Sequence, residues 1–252
     1  MTMTAEPGKS FIDTELSADL AAAALDLARR FHDGATLWVI SPQWEPHAHH
    51  VAVEFVHPVI MGKRALPSVA LVEPDPVAQA RVAGQPGDLL LAVASADQPA
   101  VLDVMRRAPA WGVMTLWIGS GPRPPAGAAH HILWVDSVDP MVPATGRFVL
   151  MYHLLWELTH VCFEHPGLLK PQDQCSEDMC VTCSDEGRLA EVVLEPADPT
   201  GRALVRTSAG EEWVDVTMLG DVAPNDLVLV HAGAAITRLD DERLAAAEEA
   251  TP

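Results

Sequence analysis

The sequence is short of positive charge: 16 lysines and arginines stand against 35 aspartates and glutamates, a formal net charge of −19 over 252 residues. Such a surface is repelled by the phosphate backbone of nucleic acids and by an anionic membrane face, so neither is expected as a partner. Long apolar runs are also lacking. No stretch reaches the roughly 18 consecutive apolar residues of a membrane-spanning helix, and residues 1–9 have neither the basic nor the apolar region of a signal peptide. A cytoplasmic protein is expected. Cysteine is scarce, with four in all, too few for a disulfide scaffold; a reducing cytosol would keep them as thiols or metal ligands. Cys175, Cys180 and Cys183 fall close together, whereas Cys162 sits on an apolar helical stretch and reads as core.

What is present is ample apolar material, 49% of residues, enough for two packed cores. Residues 17–31 carry an apolar stripe consistent with an amphipathic helix. Short apolar runs of the kind buried on both faces of a parallel sheet follow at 36–40, 68–72, 88–94, 113–118 and 131–135. Helix-like segments separate some of them, at 46–56 and 100–107. This alternation predicts a three-layer α/β/α domain with a mostly parallel sheet. Residues 119–127 form an irregular crossing rich in proline and glycine, and a long helix is expected over 147–164, stopped by His165-Pro166-Gly167. Trp111, Met114, Trp117 and Trp134 read as core.

Beyond a polar linker at 171–178 the pattern changes. Segments 189–194, 202–207, 212–218 and 226–230 are short and β-branched, separated by Asp-Pro, Ala-Gly and Pro-Asn-Asp turn signals, which predicts a small antiparallel, OB-like β-barrel. Residues 238–250 suit a terminal helix or frayed tail. The expected division is therefore an α/β domain over 1–170, the linker, and a barrel with its helical tail over 179–252.

Met179-Cys180-Val181-Thr182-Cys183, followed by Gly187-Arg188-Leu189-Ala190-Glu191-Val192-Val193, resembles the opening of the HypC/HupF hydrogenase assembly chaperones. Pro224-Asn225-Asp226-Leu227-Val228-Leu229-Val230-His231-Ala232-Gly233-Ala234 is similar to that family's later motif, Gly-Asp-(Tyr/Trp)-Val-Leu-Val-His-x-Gly-Phe-Ala. The resemblance implies an iron fragment bearing cyanide and carbon monoxide as transient cargo. It implies as partners a HypD-type maturation protein and the precursor of the nickel–iron hydrogenase large subunit. It assigns the family's essential cysteine to Cys180 and the motif histidine to His231. A thiolate is a soft ligand suited to low-spin iron, and a neutral imidazole can complete or support such a site. Two departures stand out. Cys180 is internal and has no free amine, and Ser184-Asp185-Glu186-Gly187 replaces the shorter Ile-Pro-Gly loop.

Other readings of these residues stay open. Cys180 and Cys183 fit a redox pair or half of a structural zinc site, Cys175 extends them to a Cys-x4-Cys-x2-Cys cluster, and His231 at the end of an apolar strand fits a structural hydrogen bond.

Residues 17–165 resemble a diverged sugar-isomerase (SIS) domain of the phosphoheptose isomerase type, on His50-Val51-Ala52-Val53-Glu54-Phe55, on Gly87-Asp88-Leu89-Leu90-Leu91-Ala92-Val93-Ala94-Ser95, and on the final long helix. The phosphate loops of that family are replaced by Ser41-Pro42-Gln43-Trp44-Glu45-Pro46 and Ser95-Ala96-Asp97-Gln98-Pro99, whose acids and prolines oppose phosphate binding. No catalytic residue is assigned and isomerase activity is not expected. His50 and Glu54, four apart on one helix face, match positions that bind zinc in the family. On the last helix Val149 replaces the family's glutamine and Glu157 its histidine, and His153, Glu157 and His160 share a face. The expectation is one cleft formed by His50, Glu54, His153 and Glu157, suited to zinc or ferrous iron and completed, as the resemblance implies, in a homo-oligomer. Exposed His/Glu pairs at helical spacing without a metal are the plain alternative. Two functions compete: a maturation chaperone on an isomerase-type scaffold, and a metal-dependent SIS-type enzyme tethered to the hydrogenase assembly machinery.

Overall fold

A computed structural model of the chain describes residues 14–58, 60, 62–72, 75–137, 139, 142, 146–170, 187–196 and 201–239. The N-terminal part runs α1 (Thr14–His32), β1 (Leu37–Ile40), α2 (Glu45–Val56), β2 (Ser68–Leu71), α3 (Pro76–Ala83), β3 (Leu89–Val93), α4 (Pro99–Arg107), β4 (Met114–Ser120), β5 (His131–Val135) and α5 (Gly146–Glu164). The five strands pair in parallel in the order β2-β1-β3-β4-β5. Helices cover both faces, which is why β3 and β4 are buried at every position and read as unbroken apolar runs. Leu37, Val39, Leu89, Leu91 and Leu116 face α1, α2 and α5, while Ile40, Leu90, Ala92 and Trp117 face the side of α3 and α4. The expected core residues Trp111, Met114, Trp117, Trp134 and Cys162 are all buried.

The helix α3, which the sequence reading passed over, is capped by Asp75, whose carboxylate accepts from the amides of Val77 and Ala78 at 3.1 and 3.0 Å. Gly119 is dictated by packing: a Cβ there would stand 2.3 Å from the Trp134 ring and 2.4 Å from the Ala94 carbonyl oxygen. Asp88, just before β3, ties two strands together, accepting from the amides of Thr36 and Gln85 at 2.8 and 2.9 Å and from the Trp38 indole at 2.9 Å.

The C-terminal part is a closed five-stranded barrel of β6 (Arg188–Leu194), β7 (Arg202–Thr207), β8 (Gly210–Asp215), β9 (Leu227–His231) and β10 (Ala234–Arg238), in the order β10-β8-β7-β6-β9. Ala190, Val192, Ala203, Val205, Val214, Val228 and Val230 fill its interior. The barrel is not wholly antiparallel: β10 closes it by a parallel bridge to β8 at Ala234 and Asp215. β8 also begins and ends earlier than expected, and β10 falls partly where a terminal helix was read. The linker at 171–178 and the helix expected after residue 239 lie outside the described residues.

The two parts meet at a buried carboxylate. Glu191 on β6, 3% exposed, receives Arg81 and Arg107 on one oxygen at 2.8 and 2.9 Å and the Trp111 indole on the other at 2.8 Å. Arg206 of β7 donates to the carbonyls of Arg81 and Gly84. Leu189 and Leu227 of the barrel join the apolar cluster on the α3/α4 side. Among the described residues no helix is long and apolar enough to cross a membrane.

Candidate metal centre

The helix α2 begins after Trp44 with Pro46 in its first turn, where the missing N–H costs nothing. Its inner face, Ala48, Val51, Ala52 and Phe55, is buried. That packing turns His50 and Glu54, one turn apart, toward α5, whose own buried stripe of Phe148, Met151, Tyr152 and Leu155 leaves His153 half-buried at the same seam.

The ligand atoms of His50, Glu54 and His153 all lie within 4.8 Å of one another. Nε2 of His153 is 3.2 Å from Nε2 of His50 and 3.7 Å from Oε2 of Glu54. The far nitrogen of His50, Nδ1, meets the Tyr152 hydroxyl at 2.8 Å. A ring that gives Nε2 to a metal carries its proton on Nδ1, and Tyr152 is placed to accept it. The Tyr152 phenol is pushed above its ordinary range, first by burial and then by the charge of Glu54, so it stays protonated. Burial first, and then His153, hold the His50 imidazole below the usual histidine value, which favours the neutral form a metal needs.

Two nitrogens and one carboxylate converging from two helices leave coordination positions open to water or a small ligand. That donor set suits zinc or ferrous iron. Glu157 does not join it: its carboxylate lies 3.5 Å from Nζ of Lys63, which also holds Glu164 at 2.8 Å. His160 is buried, with Nδ1 2.9 Å from the Trp156 carbonyl and Nε2 3.0 Å from the Arg64 carbonyl, and serves the core. Tyr152 was not singled out from the sequence. It is the one tyrosine in the chain and directly precedes His153, a signal that helical spacing alone does not raise.

In the barrel, His231 ends β9 and is followed by Ala232 and Gly233, both at positive φ (49° and 80°), which make a tight turn into β10. β6 runs antiparallel to β9 with Arg188 opposite Val230, so the described chain enters the barrel beside the His231 end of β9. Cys175, Cys180 and Cys183 lie outside the described residues.

No curated protein matches the chain. Among solved structures, a phosphoheptose isomerase from Francisella tularensis is similar with a TM-score of 0.51 and 17% identity, over 58% of this chain and 90% of that one. The phosphoheptose isomerase GmhA of Neisseria gonorrhoeae aligns with a TM-score of 0.44 and 16% identity, over 60% and 86% of the two chains. At such identity the first likeness speaks to the fold alone, and it agrees with the parallel five-stranded sheet and its helices. The barrel region matches a family model, described as the HupF/HypC family, over residues 179–251. The chain thus joins an N-terminal α/β domain of the phosphoheptose isomerase fold to a C-terminal segment that matches the HupF/HypC family model.

Proposed function

We propose that this protein is a cytoplasmic maturation chaperone for a nickel–iron hydrogenase, which carries an iron fragment with cyanide and carbon monoxide ligands to the large-subunit precursor and works with a HypD-type partner. The observation that carries the reading is the HupF/HypC match over residues 179–251, which contains Cys180 and His231. The strand pairing supports it: the chain following Cys180 joins the barrel next to His231. In this reading the Cys180 thiolate holds the cargo iron, His231 supports it, and the chain performs no turnover of its own. Cys180→Ala should abolish hydrogenase maturation in cells lacking the native gene while leaving the melting curve unchanged, and Cys183→Ala should do less. Infrared spectra of the protein co-purified with its HypD-type partner should show cyanide and carbon monoxide bands that vanish in Cys180→Ala. Normal hydrogenase activity in that variant would remove the proposal.

A second reading rests on the convergence of His50, Glu54 and His153: the N-terminal domain holds zinc or ferrous iron of its own. When bound, such an ion supplies Lewis acidity at its open positions, while Tyr152 orients His50. Metal analysis of the full chain at neutral pH, beside His50→Ala, tests this. Bound metal that ignores the substitution, or none in either protein, would leave the domain as a scaffold.

A further inference from the structure

The loops at the C-terminal ends of β1, β3, β4 and β5 line an open cavity of about 440 Å³, within the range of roughly 300–1,000 Å³ common for small-molecule sites. It lies where the strand order reverses between β1 and β3, the crevice in which open parallel sheets bind ligands. Its chemistry is one-sided. Asp97 and Asp139 contribute carboxylates, Ser95, Ser120 and Ser137 hydroxyls, and Trp44 an aromatic ring, with no lysine, arginine or histidine in the described lining.

Features that would serve an anion are closed off. The Ser95 amide, the donor at the end of β3, is taken by the Gln43 side chain at 2.9 Å. Gln43 and Asp97 also flank the Ser95 hydroxyl, at 2.9 and 2.7 Å. α4 starts with Pro99, which removes a donor from its first turn. Arg123, the nearest base in sequence to the cavity wall at Pro122, turns away to Glu15 and Asp19 at 3.0 and 3.2 Å. Ser120, by contrast, is only 9% exposed, lines the cavity, and its hydroxyl has no hydrogen-bond partner among the described residues. A hydroxyl that faces the cavity can accept from, or donate to, a ligand there.

We infer that this cavity binds a small organic cation, an ammonium or guanidinium group held between Asp97 and Asp139, hydrogen-bonded to Ser120 and lying beside the Trp44 ring. The inference rests on neither the chaperone reading nor the metal centre, since none of these residues belongs to either.

Titration calorimetry on the full chain with three four-carbon probes of one frame tests it: putrescine, the dication; 1,4-butanediol, neutral; and succinate, the dianion. Putrescine should bind saturably at one site, and the other two should not. Asp97→Asn and Asp139→Asn, each keeping an acceptor oxygen and checked for an unchanged melting curve, should weaken putrescine about tenfold or more. Ser120→Ala should weaken it less. Glu211→Gln on the barrel, which lowers the overall negative charge equally, should leave binding unchanged. Succinate binding as tightly as putrescine would overturn the inference. So would equal weakening by Glu211→Gln, indifference to both aspartate variants, or no saturable putrescine binding up to about 10 mM.

Discussion

The hydroxyl of Tyr152 lies 2.8 Å from Nδ1 of His50, on the opposite side of the imidazole from His153. Such an outer partner fixes which nitrogen carries the proton and how the ring is aimed, and its loss commonly costs about 10- to 100-fold in metal affinity. Tyr152→Phe keeps the ring packed between His47 and His153 and removes only the oxygen. Zinc affinity, measured by competition with a chelator, is expected to fall by about tenfold with the fold intact. Unchanged affinity would mean that packing alone aims His50.

The parallel sheet was legible because burial on both faces leaves uninterrupted apolar runs, and all five strands fall where such runs occur. α3 was not legible. Pro76–Ala83 buries only Ala80, so it has no stripe to read, and its start depends on the Asp75 cap. On α5, His153, Glu157 and His160 share a helical face by spacing, yet each meets a different neighbour: His50 and Glu54, Lys63, and the Trp156 and Arg64 carbonyls. Spacing along one helix cannot say what the opposite element presents. The same holds for Glu191, a charge in a barrel strand whose burial depends on two arginines and a tryptophan from the other domain.

The docking of the two domains should fail when that carboxylate is removed. Glu191→Ala leaves Arg81 and Arg107, whose side chains are 29% and 15% exposed, without the carboxylate they share, while Arg107 keeps Asp103 at 2.7 Å; the cost of about 3–5 kcal/mol for breaking one side of a fully buried ion pair is therefore an upper bound. Calorimetry of Glu191→Ala is expected to show a lower first transition and a second, separate one where the intact protein melts once. Glu191→Gln, which can still accept from Trp111, should fall between. A single unshifted transition in Glu191→Ala would show that the apolar contacts of Leu189 and Leu227 suffice.

Stability should also fall in acid through His130. Its Nδ1 accepts the Thr115 amide at 3.1 Å and lies 2.8 Å from the Thr115 hydroxyl, so a proton on Nδ1 would face an N–H that cannot turn away. Burial first, then the charges of Arg30 and His131, hold its pKa below the ordinary 6.5. Below that value the unfolded chain takes up a proton that the folded chain refuses. The contribution is therefore intact above about pH 6.5 and is lost as the pH falls from there toward the folded value. His130→Asn, whose side-chain oxygen can accept from Thr115 without titrating, should lose less stability than the parent between about pH 7.5 and 5.5. Equal losses of unfolding free energy by parent and variant between the two pH values, read from denaturant melts, would refute this role.

Lys63 should set how many ligands the metal centre has. Its side chain is only 12% exposed and is fixed between Glu157 and Glu164. Glu157 stands one helical turn beyond His153, a spacing at which side chains share a face, so the lysine holds away a carboxylate that could otherwise reach the ion. Lys63→Met keeps most of the buried stem and removes the charge. Glu157 then loses its counter-ion, and a divalent metal becomes the nearest positive charge for it. The expected result is metal binding several-fold tighter than in the parent, about 1 kcal/mol, with cobalt substituted at the site showing a visible spectrum of changed coordination. Adding Glu157→Gln should return affinity and spectrum to those of the parent. The prediction presupposes that His50, Glu54 and His153 bind metal at all. If the parent binds metal through His50 but Lys63→Met changes neither affinity nor spectrum, Glu157 has no part in the site; if the parent binds none, it is the metal centre that is wrong.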